Sequence, residues 1–106
     1  MRGDMLRGGV YRIDLGDSKR GHEQRGRRLG IVLSQTNWTM VTVVPTSTSA
    51  QPSRFRPTAN IDGRETRLLV DQMRSIDSDY LHDMVGYLTR EEMDSLETAI
   101  REYLDL

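Results

Sequence analysis

The first part of the chain alternates between apolar and charged residues. From Tyr11 to Leu15, within the segment GVYRIDL at 9–15, every second side chain is apolar and those between are charged. Because successive side chains of a strand point to opposite faces, this pattern predicts a half-buried β-strand.

Two more strands are predicted on either side of a short turn. Residues 29–34 and 40–44 are short apolar runs rich in β-branched residues, a composition typical of buried strands. Pro45 has no N–H to give to a sheet, so we expect it to end the second run. The Gly-rich, charged residues 16–28 and the hydroxyl-rich residues 46–53 are predicted loops.

The second half of the chain carries weaker strand patterns. Residues 55–61 form a candidate strand interrupted by a proline, and Asp62-Gly63 is a typical hairpin turn. Residues 68–70, extended to residue 76, and residues 85–88 complete the predicted strands.

Near the end of the chain the apolar period changes from two to between three and four. Thr89 and Glu92 form a T-x-x-E capping box. The apolar spacing after it predicts an amphipathic helix that packs on the core. Its apolar stripe consists of Met93, Leu96, Ile100, Tyr103 and Leu104.

Five or six short strands and one C-terminal helix predict a mainly β fold of the α+β class, a small antiparallel barrel with a helix. We expect residues 1–106 to form a single domain, with residues 1–6 as a loose extension. No apolar run reaches the roughly 20 residues that span a bilayer, and the start of the chain lacks an apolar signal core. We therefore expect a cytoplasmic protein without a membrane partner.

Charge is distributed unevenly, although the net charge is only −1. Residues 1–74 contain 13 Arg or Lys and 7 Asp or Glu, a net charge of +6, whereas residues 75–106 contain 2 and 9, a net charge of −7. All the cations except Lys19 are arginines, which grip phosphate or carboxylate groups with a planar fork. This asymmetry favours an anionic partner for the first part, although a solvated basic face would give the same count.

The residue inventory excludes several kinds of chemistry. The chain has no cysteine and only two histidines, so we expect no thiolate site, no metal and no cofactor. Arginines, hydroxyls and a histidine suit metal-free RNA cleavage. In that reaction a base takes the 2′-hydroxyl proton, an acid protonates the leaving oxygen, and cations stabilise the phosphoryl charge. Many small Arg-rich domains meet these requirements, so composition alone leaves the function open.

Four motifs occur together in one order along the chain. They are RGGVY at 7–11, GHEQ at 21–24 followed by Arg28 and an apolar strand, VVPTST at 43–48, and VDQMRSID at 70–77. Together they resemble the MazF/PemK/Kid family, the mRNA interferase toxins of toxin–antitoxin pairs.

This resemblance implies a fold, an activity and partners. The implied fold is the SH3-like barrel shared with the CcdB gyrase poisons, assembled as a homodimer. The implied activity is metal-independent, sequence-specific cleavage of single-stranded RNA, leaving a 2′,3′-cyclic phosphate and a 5′-hydroxyl. The implied protein partner is a MazE-like antitoxin whose acidic tail fills the RNA groove.

The resemblance also assigns catalytic residues. Arg28 takes the place of the family's catalytic arginine, which stabilises the pentavalent phosphate and can donate a proton. Ser47 takes the place of the catalytic threonine. His22 and Asp71 match positions that the Kid branch uses in its site. The expected substrate-binding residues are Glu23, Gln24, Arg25, Arg27, Thr46, Thr48 and Gln72.

Each candidate also has a structural alternative. Arg28 could form a surface salt bridge, and Ser47 could be a turn residue that bonds its own backbone. His22 could be a loop histidine without a catalytic role, and Gln72 could brace a strand. Thr46 or Thr48 could supply the catalytic hydroxyl instead of Ser47. Asp71 could pair with Arg74 or anchor a loop.

The sequence departs from the family pattern at Ser47, which stands in place of a threonine, and at two other places. Leu29-Gly30 stands where the family usually has Pro-Val, and Leu69 stands where Kid has an arginine. Two other functions therefore stay open: a non-enzymatic toxin of the same fold that poisons gyrase, and a degenerate member that only binds RNA or an antitoxin. The E-Q…R and P-x-T/S pairing, which CcdB-like chains lack, favours the enzyme.

Overall fold

The structure, a computed structural model, describes residues 6–16, 26–35 and 39–106. Within these residues, seven strands precede one C-terminal helix, and short 3-10 helices at Val70–Gln72 and Ser78–Tyr80 flank the sixth strand. The elements are β1 (Gly9–Asp14), β2 (Arg27–Gln35), β3 (Met40–Ser47), β4 (Thr58–Ile61), β5 (Arg64–Leu68), β6 (Arg74–Asp77), β7 (Leu81–Tyr87) and α1 (Arg90–Leu104).

The strands form one antiparallel sheet in the order β4-β5-β3-β2-β1-β7. β3 carries two partners on the side away from β2, because it pairs with β6 over its first half and with β5 at its end. The sheet curls into a half-barrel, which brings the β4–β5 hairpin and β7 toward each other at the open side. The predicted antiparallel barrel with a C-terminal helix is confirmed.

Both faces of the central strands are buried, which explains their continuous apolar runs. On one face, Val10, Ile31 and Val44 pack beneath Leu96 and Ala99 of α1. On the other face, a second cluster joins β1, β2 and β3 to the residues around β6 and β7, and it contains Tyr11, Ile13, Leu15, Val32, Val41, Val43, Ile76 and Leu81.

The capping box at the start of α1 forms as predicted. The Thr89 hydroxyl accepts a hydrogen bond from the Glu92 backbone N–H at 3.1 Å, and Glu92 Oε1 accepts one from the Thr89 N–H at 2.9 Å. The αL residue Asp105 ends the helix. No helix in the described parts of the chain is long and apolar enough to cross a membrane.

Pro45 does not end β3, contrary to the sequence prediction, because the strand runs on to Ser47. In an antiparallel strand the N–H and C=O of one residue point to the same side. The Pro45 carbonyl accepts a hydrogen bond from Leu69 N, on the side where β3 changes partner from β6 to β5. The missing N–H thus falls in the gap between these two partners and costs the sheet nothing.

Other boundaries also differ from prediction: β4 starts at Thr58 and not at residue 55, and β7 spans Leu81–Tyr87 and not 85–88. β2 starts at Arg27, so Arg28 lies in a strand and not in a loop. The charged segment Arg64–Leu68 is a strand, whereas Val70–Gln72, predicted as strand, is a 3-10 helix. Of the predicted N-terminal extension, Leu6 accepts a hydrogen bond from Gly9 N at 2.9 Å, and residues 1–5 lie outside the described residues.

Candidate functional site

The antiparallel pairing of β2 with β3 brings two sequence candidates to one place. Gly30 pairs with Pro45, so the residues before Gly30 lie beside the residues after Pro45. These are Arg28, on the half-buried start of β2, and Ser47, at the end of β3. Two motifs that are 19 positions apart in the sequence therefore meet at one end of the sheet.

Thr46 connects the two strands at this point. Its side chain is buried, and its hydroxyl donates a hydrogen bond to the Leu29 carbonyl at 2.8 Å. Arg28 Nη1 in turn donates to the Thr46 carbonyl across 3.4 Å. Because its hydroxyl proton is committed to the backbone, Thr46 positions the strand that carries Arg28, and we assign it no contact with a substrate.

Ser47 keeps a donor that Thr46 has lost. Its Oγ accepts a hydrogen bond from the Ser49 backbone N–H at 3.1 Å and lies 3.5 Å from the Ser49 hydroxyl. The first contact is the local turn bond expected under the structural alternative. A hydroxyl that accepts such a bond can still donate its own proton to an incoming oxygen.

Arg28 and Ser47 line one open depression of about 360 Å³, which we call the Ser47 cleft. Its other polar lining residues include Arg27, Thr48 and Arg64. Three guanidinium groups in one cleft create a strong attraction for phosphate, which they can bind through paired N–H donors. The structure thus brings together five of the sequence candidates, which are Arg27, Arg28, Thr46, Ser47 and Thr48.

A second depression lies on the other side of Arg27 and Arg28. This His82 cleft has a volume of about 530 Å³ and is walled by Arg12, His82 and Asp83. The exposed Arg12 and Asp83 side chains pair across it at 3.3 Å. The two arginines of β2 therefore form a cationic ridge between two clefts. His82 is exposed and lines the second cleft.

Asp71 and Gln72 are not among the residues that line the Ser47 cleft. The Asp71 carboxylate accepts two hydrogen bonds from Arg56, from Nε at 3.0 Å and from Nη2 at 2.9 Å. The structural alternative named Arg74 as the partner of Asp71, whereas the partner in the structure is Arg56. This hydrogen bond to Asp71 raises the pKa of Arg56 above its ordinary value.

The Arg56–Asp71 pair anchors the loop that follows Ser47 in the chain. Arg56 Nη1 also donates to the Gln51 carbonyl at 3.2 Å, and Arg67 Nη1 donates to the Arg56 carbonyl at 3.1 Å. Arg56 and Asp71 are only 17% and 31% exposed, so solvent screens this pair less than an open surface pair. Because the pKa of Arg56 is raised, the stability that its charge contributes is present at neutral pH and is lost only at strongly alkaline pH.

We expect Arg56→Ala to lower the free energy of unfolding by about 1–2 kcal/mol, because it removes a two-bond contact to a carboxylate. Arg56→Lys, which keeps the charge without the fork, should recover less than half of that loss. Arg12→Ala breaks the exposed Arg12–Asp83 pair and should cost at most about 0.5 kcal/mol. Urea unfolding followed by circular dichroism measures all three. Equal effects of Arg56→Ala and Arg12→Ala would contradict the anchoring role.

The remaining sequence candidates fall in a segment that is not described. His22, Glu23, Gln24 and Arg25 lie outside the described residues, as does Trp38. Within residues 6–16, 26–35 and 39–106, no three His, Asp or Glu side chains are grouped to hold a metal ion.

The sequence analysis did not identify the β4–β5 hairpin as part of the site. Asp62, Arg64 and Thr66 from this hairpin line the Ser47 cleft. The Asp62-Gly63 turn is the sequence pattern from which this hairpin could have been predicted. Had the charged residues after it been assigned to the return strand, they would have been placed beside the end of β3, where Ser47 pairs with Arg67.

The chain was compared with known proteins. Residues 6–104 match the family described as PemK-like, MazF-like toxin of type II toxin–antitoxin system. A candidate toxin of Mycobacterium tuberculosis (strain H37Rv) is 55% identical over 105 residues, which covers 96% of this chain and 99% of the relative.

Solved structures share the fold. A mycobacterial endoribonuclease in complex with its cognate antitoxin superposes with a TM-score of 0.79 at 23% identity and covers 97% of both chains. MazF from Deinococcus radiodurans superposes with a TM-score of 0.78 at 21% identity, covering 93% of this chain and 94% of its own. At these identities the likeness concerns the fold alone.

Proposed function

Since this chain belongs to the PemK/MazF family of toxins from type II toxin–antitoxin systems, we propose that it is an endoribonuclease that cuts single-stranded RNA at specific sequences without a metal ion. The observation that carries the proposal is the meeting of Arg28 and Ser47 in one cationic cleft. The structural relatives described as endoribonucleases share this fold and are consistent with the proposal.

The proposed reaction uses the substrate's own nucleophile. The 2′-oxygen attacks the adjacent phosphorus, a base takes the 2′-hydroxyl proton, and the bond from phosphorus to the 5′-oxygen breaks as an acid protonates that oxygen. The products are a 2′,3′-cyclic phosphate and a 5′-hydroxyl. DNA is spared because it lacks the 2′-hydroxyl.

Arg28 and Ser47 are proposed to stabilise the charge that builds on the non-bridging phosphoryl oxygens. A guanidinium at the end of a strand offers fixed N–H donors, which need little reorganisation as the charge develops. The Ser47 hydroxyl adds one donor from the neighbouring strand. Arg27 and Arg64 hold the flanking phosphates, where contacts give affinity and register.

The proton-transfer roles rest on the family resemblance. His22 is proposed as an acid or base. Asp71 is proposed to act on the site indirectly, by holding Arg56 and the loop after Ser47, since its carboxylate already accepts two bonds from that arginine.

Two partners belong to the same proposal. An antitoxin with an acidic tail would occupy the arginine-lined clefts and exclude RNA, and some structural relatives are complexes with an antitoxin. A homodimer is the other proposed assembly. Light scattering should then give twice the chain mass of 12.2 kDa.

We expect Ser47→Ala to slow RNA cleavage about 10- to 100-fold, because one hydrogen-bond donor to the phosphoryl oxygens is lost. Ser47→Thr should stay within about threefold of wild type, since it keeps the hydroxyl. Thr48→Val, a nearly isosteric change at an exposed cleft residue, is the matched control and should also stay within about threefold. Cleavage of a fluorescent single-stranded RNA in EDTA measures the rates.

The same assay separates the proposed enzyme from its alternatives. A larger loss for Thr48→Val than for Ser47→Ala would move the catalytic hydroxyl to Thr48. Wild-type protein that leaves RNA intact but blocks DNA supercoiling by gyrase would replace the ribonuclease with a gyrase poison.

A further inference from the structure

A third depression lies between the β4–β5 hairpin and β7, where the half-barrel is open. We call it the Tyr87 groove. Its floor is apolar, formed by Val10 and Leu29, and its volume is about 330 Å³. Asn60 and Asp62 form one wall, Val85 and Tyr87 form the other, and Arg12 also lines the groove. A volume near the lower end of the range for small-ligand sites suits a single flat ring system.

The Tyr87 groove is continuous with the Ser47 cleft. Leu29, Ile61 and Asp62 line both depressions. Arg28 and Leu29 both line the Ser47 cleft, and Leu29 also lines the Tyr87 groove, so a phosphate held by Arg28 would lie beside the groove. A nucleotide whose phosphate binds in the cleft can therefore place its base in the groove.

The carboxylate of Glu92 holds both walls of the groove. Glu92 Oε1 accepts the Thr89 N–H at 2.9 Å, just after β7, and Oε2 accepts the Asn60 N–H at 2.7 Å, in β4. The Leu88 N–H donates to the Gly8 carbonyl at 3.0 Å and fixes the end of β7 beside β1. The groove is thus built before any ligand binds, which lowers the ordering cost of binding.

The chemistry of the walls fits a nucleobase. Tyr87 is 62% exposed, the most exposed aromatic residue in the described parts of the chain. Proteins that bind single-stranded RNA stack unpaired bases on such rings. Asp62 lines the same groove with a carboxylate that only accepts hydrogen bonds, which favours guanine, because guanine presents two adjacent donors, N1–H and the 2-amino group, on one edge.

We propose that the Tyr87 groove binds the base of a nucleotide next to the cleaved phosphate, stacked on Tyr87 and selected at its edge by Asp62. The site takes guanine in preference to adenine, cytosine and uracil, because each of those bases places an acceptor, which the carboxylate repels, beside its donor. This inference rests on the proposed endoribonuclease function and adds a residue set that determines its base preference.

Abasic substitution tests the stacking contact. Binding is measured by fluorescence anisotropy with single-stranded RNA blocked by 2′-O-methyl groups, either intact or lacking one base at each position in turn. For wild type, one abasic position should weaken binding about 10-fold, and Tyr87→Ala should remove that penalty. Tyr80→Ala is the matched control, since Tyr80 is 54% exposed and does not line any of the three clefts.

Asp62→Asn tests the edge contact without disturbing the turn. Asp62 has a φ of 54°, in the left-handed region that asparagine tolerates as well. Sequencing the cut sites in a randomised RNA should show guanine enriched at one flanking position for wild type. Asp62→Asn should reduce this enrichment severalfold, because an amide offers one acceptor and one donor in place of two acceptors.

The outcomes separate this inference from the proposed function. If wild type cuts RNA but Tyr87→Ala keeps the abasic penalty and Asp62→Asn keeps the base profile, the groove is not a base site and the ribonuclease stands. If Tyr87→Ala lowers only the scattering mass, the groove is a contact between copies. If wild type neither binds nor cuts RNA, both proposals fail.

Discussion

Replacing Arg28 with alanine is expected to slow RNA cleavage about 100- to 1,000-fold while leaving the unfolding midpoint close to that of wild type. The loss is large because the guanidinium supplies fixed donors to the charge of the transition state. Stability changes little because the Arg28 side chain is only half-buried at the start of β2. Single-turnover cleavage with saturating enzyme isolates the chemical step from binding.

Arg27→Ala is the matched control for Arg28→Ala, because Arg27 is the neighbouring residue of the same strand and lines the same cleft. We expect it to weaken RNA binding several-fold with little change in the saturated rate, as for a contact to a flanking phosphate. Arg28→Lys should recover only part of the rate, since lysine lacks the fork. If Arg28→Ala and Arg27→Ala change the saturated rate equally, the catalytic assignment of Arg28 is wrong.

Replacing Gly30 with valine, the residue that the family pattern places there, is expected to lower the free energy of unfolding by about 1–3 kcal/mol. A Cβ atom on Gly30 would lie 2.6 Å from Ile13 Cδ1 and 3.4 Å from Ile13 Cγ1. Ile13 is buried and pairs with Arg28 across β1 and β2, so it cannot move far without shifting the strand that carries Arg28.

The double variant Ile13→Val, Gly30→Val should recover part of this loss, because valine lacks the Cδ1 atom that makes the closest contact. Gly86→Ala is the control glycine in a strand, since a Cβ there meets no atom within 4 Å, and its effect should be at most about 0.5 kcal/mol. Urea unfolding of wild type, Ile13→Val, Gly30→Val and the double variant gives a double-mutant cycle. No coupling between positions 13 and 30 would show that Ile13 does not fill the space left by Gly30.

This contact explains one departure from the family pattern. The family pattern has Pro-Val at the positions of Leu29 and Gly30. In the structure the Ile13 side chain occupies the space that a larger residue at position 30 would need. The departure is therefore matched by packing on the neighbouring strand, a pairing that only the β1–β2 register makes visible.

The fold was predictable where local pattern and burial agree. The alternation from Tyr11 to Leu15, the apolar run of β2 and the capping box of α1 each specify their element directly. β5 was missed because four of its five residues are polar or charged, and only pairing with β3 and β4 makes it a strand. The end of β3 was predicted wrongly because the change of strand partner at Pro45 depends on how the sheet is assembled and not on the local sequence.

The site was predictable only in part. Family motifs identified Arg28 and Ser47, and the register of β2 on β3 brings both to one cleft. The same motifs placed Asp71 with them, but Asp71 instead holds Arg56, because the 3-10 helix at Val70–Gln72 presents it to that side chain. Asp62 and Tyr87 belong to no motif, and they meet because the half-barrel curls.

The most direct measurement of metal-free attack by the 2′-hydroxyl compares two RNAs incubated with wild-type protein in EDTA. One is all ribose, and the other carries a single 2′-deoxy residue at the cleaved nucleotide. We predict cleavage of the first only, with mass spectrometry showing a 2′,3′-cyclic phosphate and a 5′-hydroxyl on the products. Cleavage of both substrates, or products that carry a 3′-hydroxyl and a 5′-phosphate, would contradict the proposed chemistry.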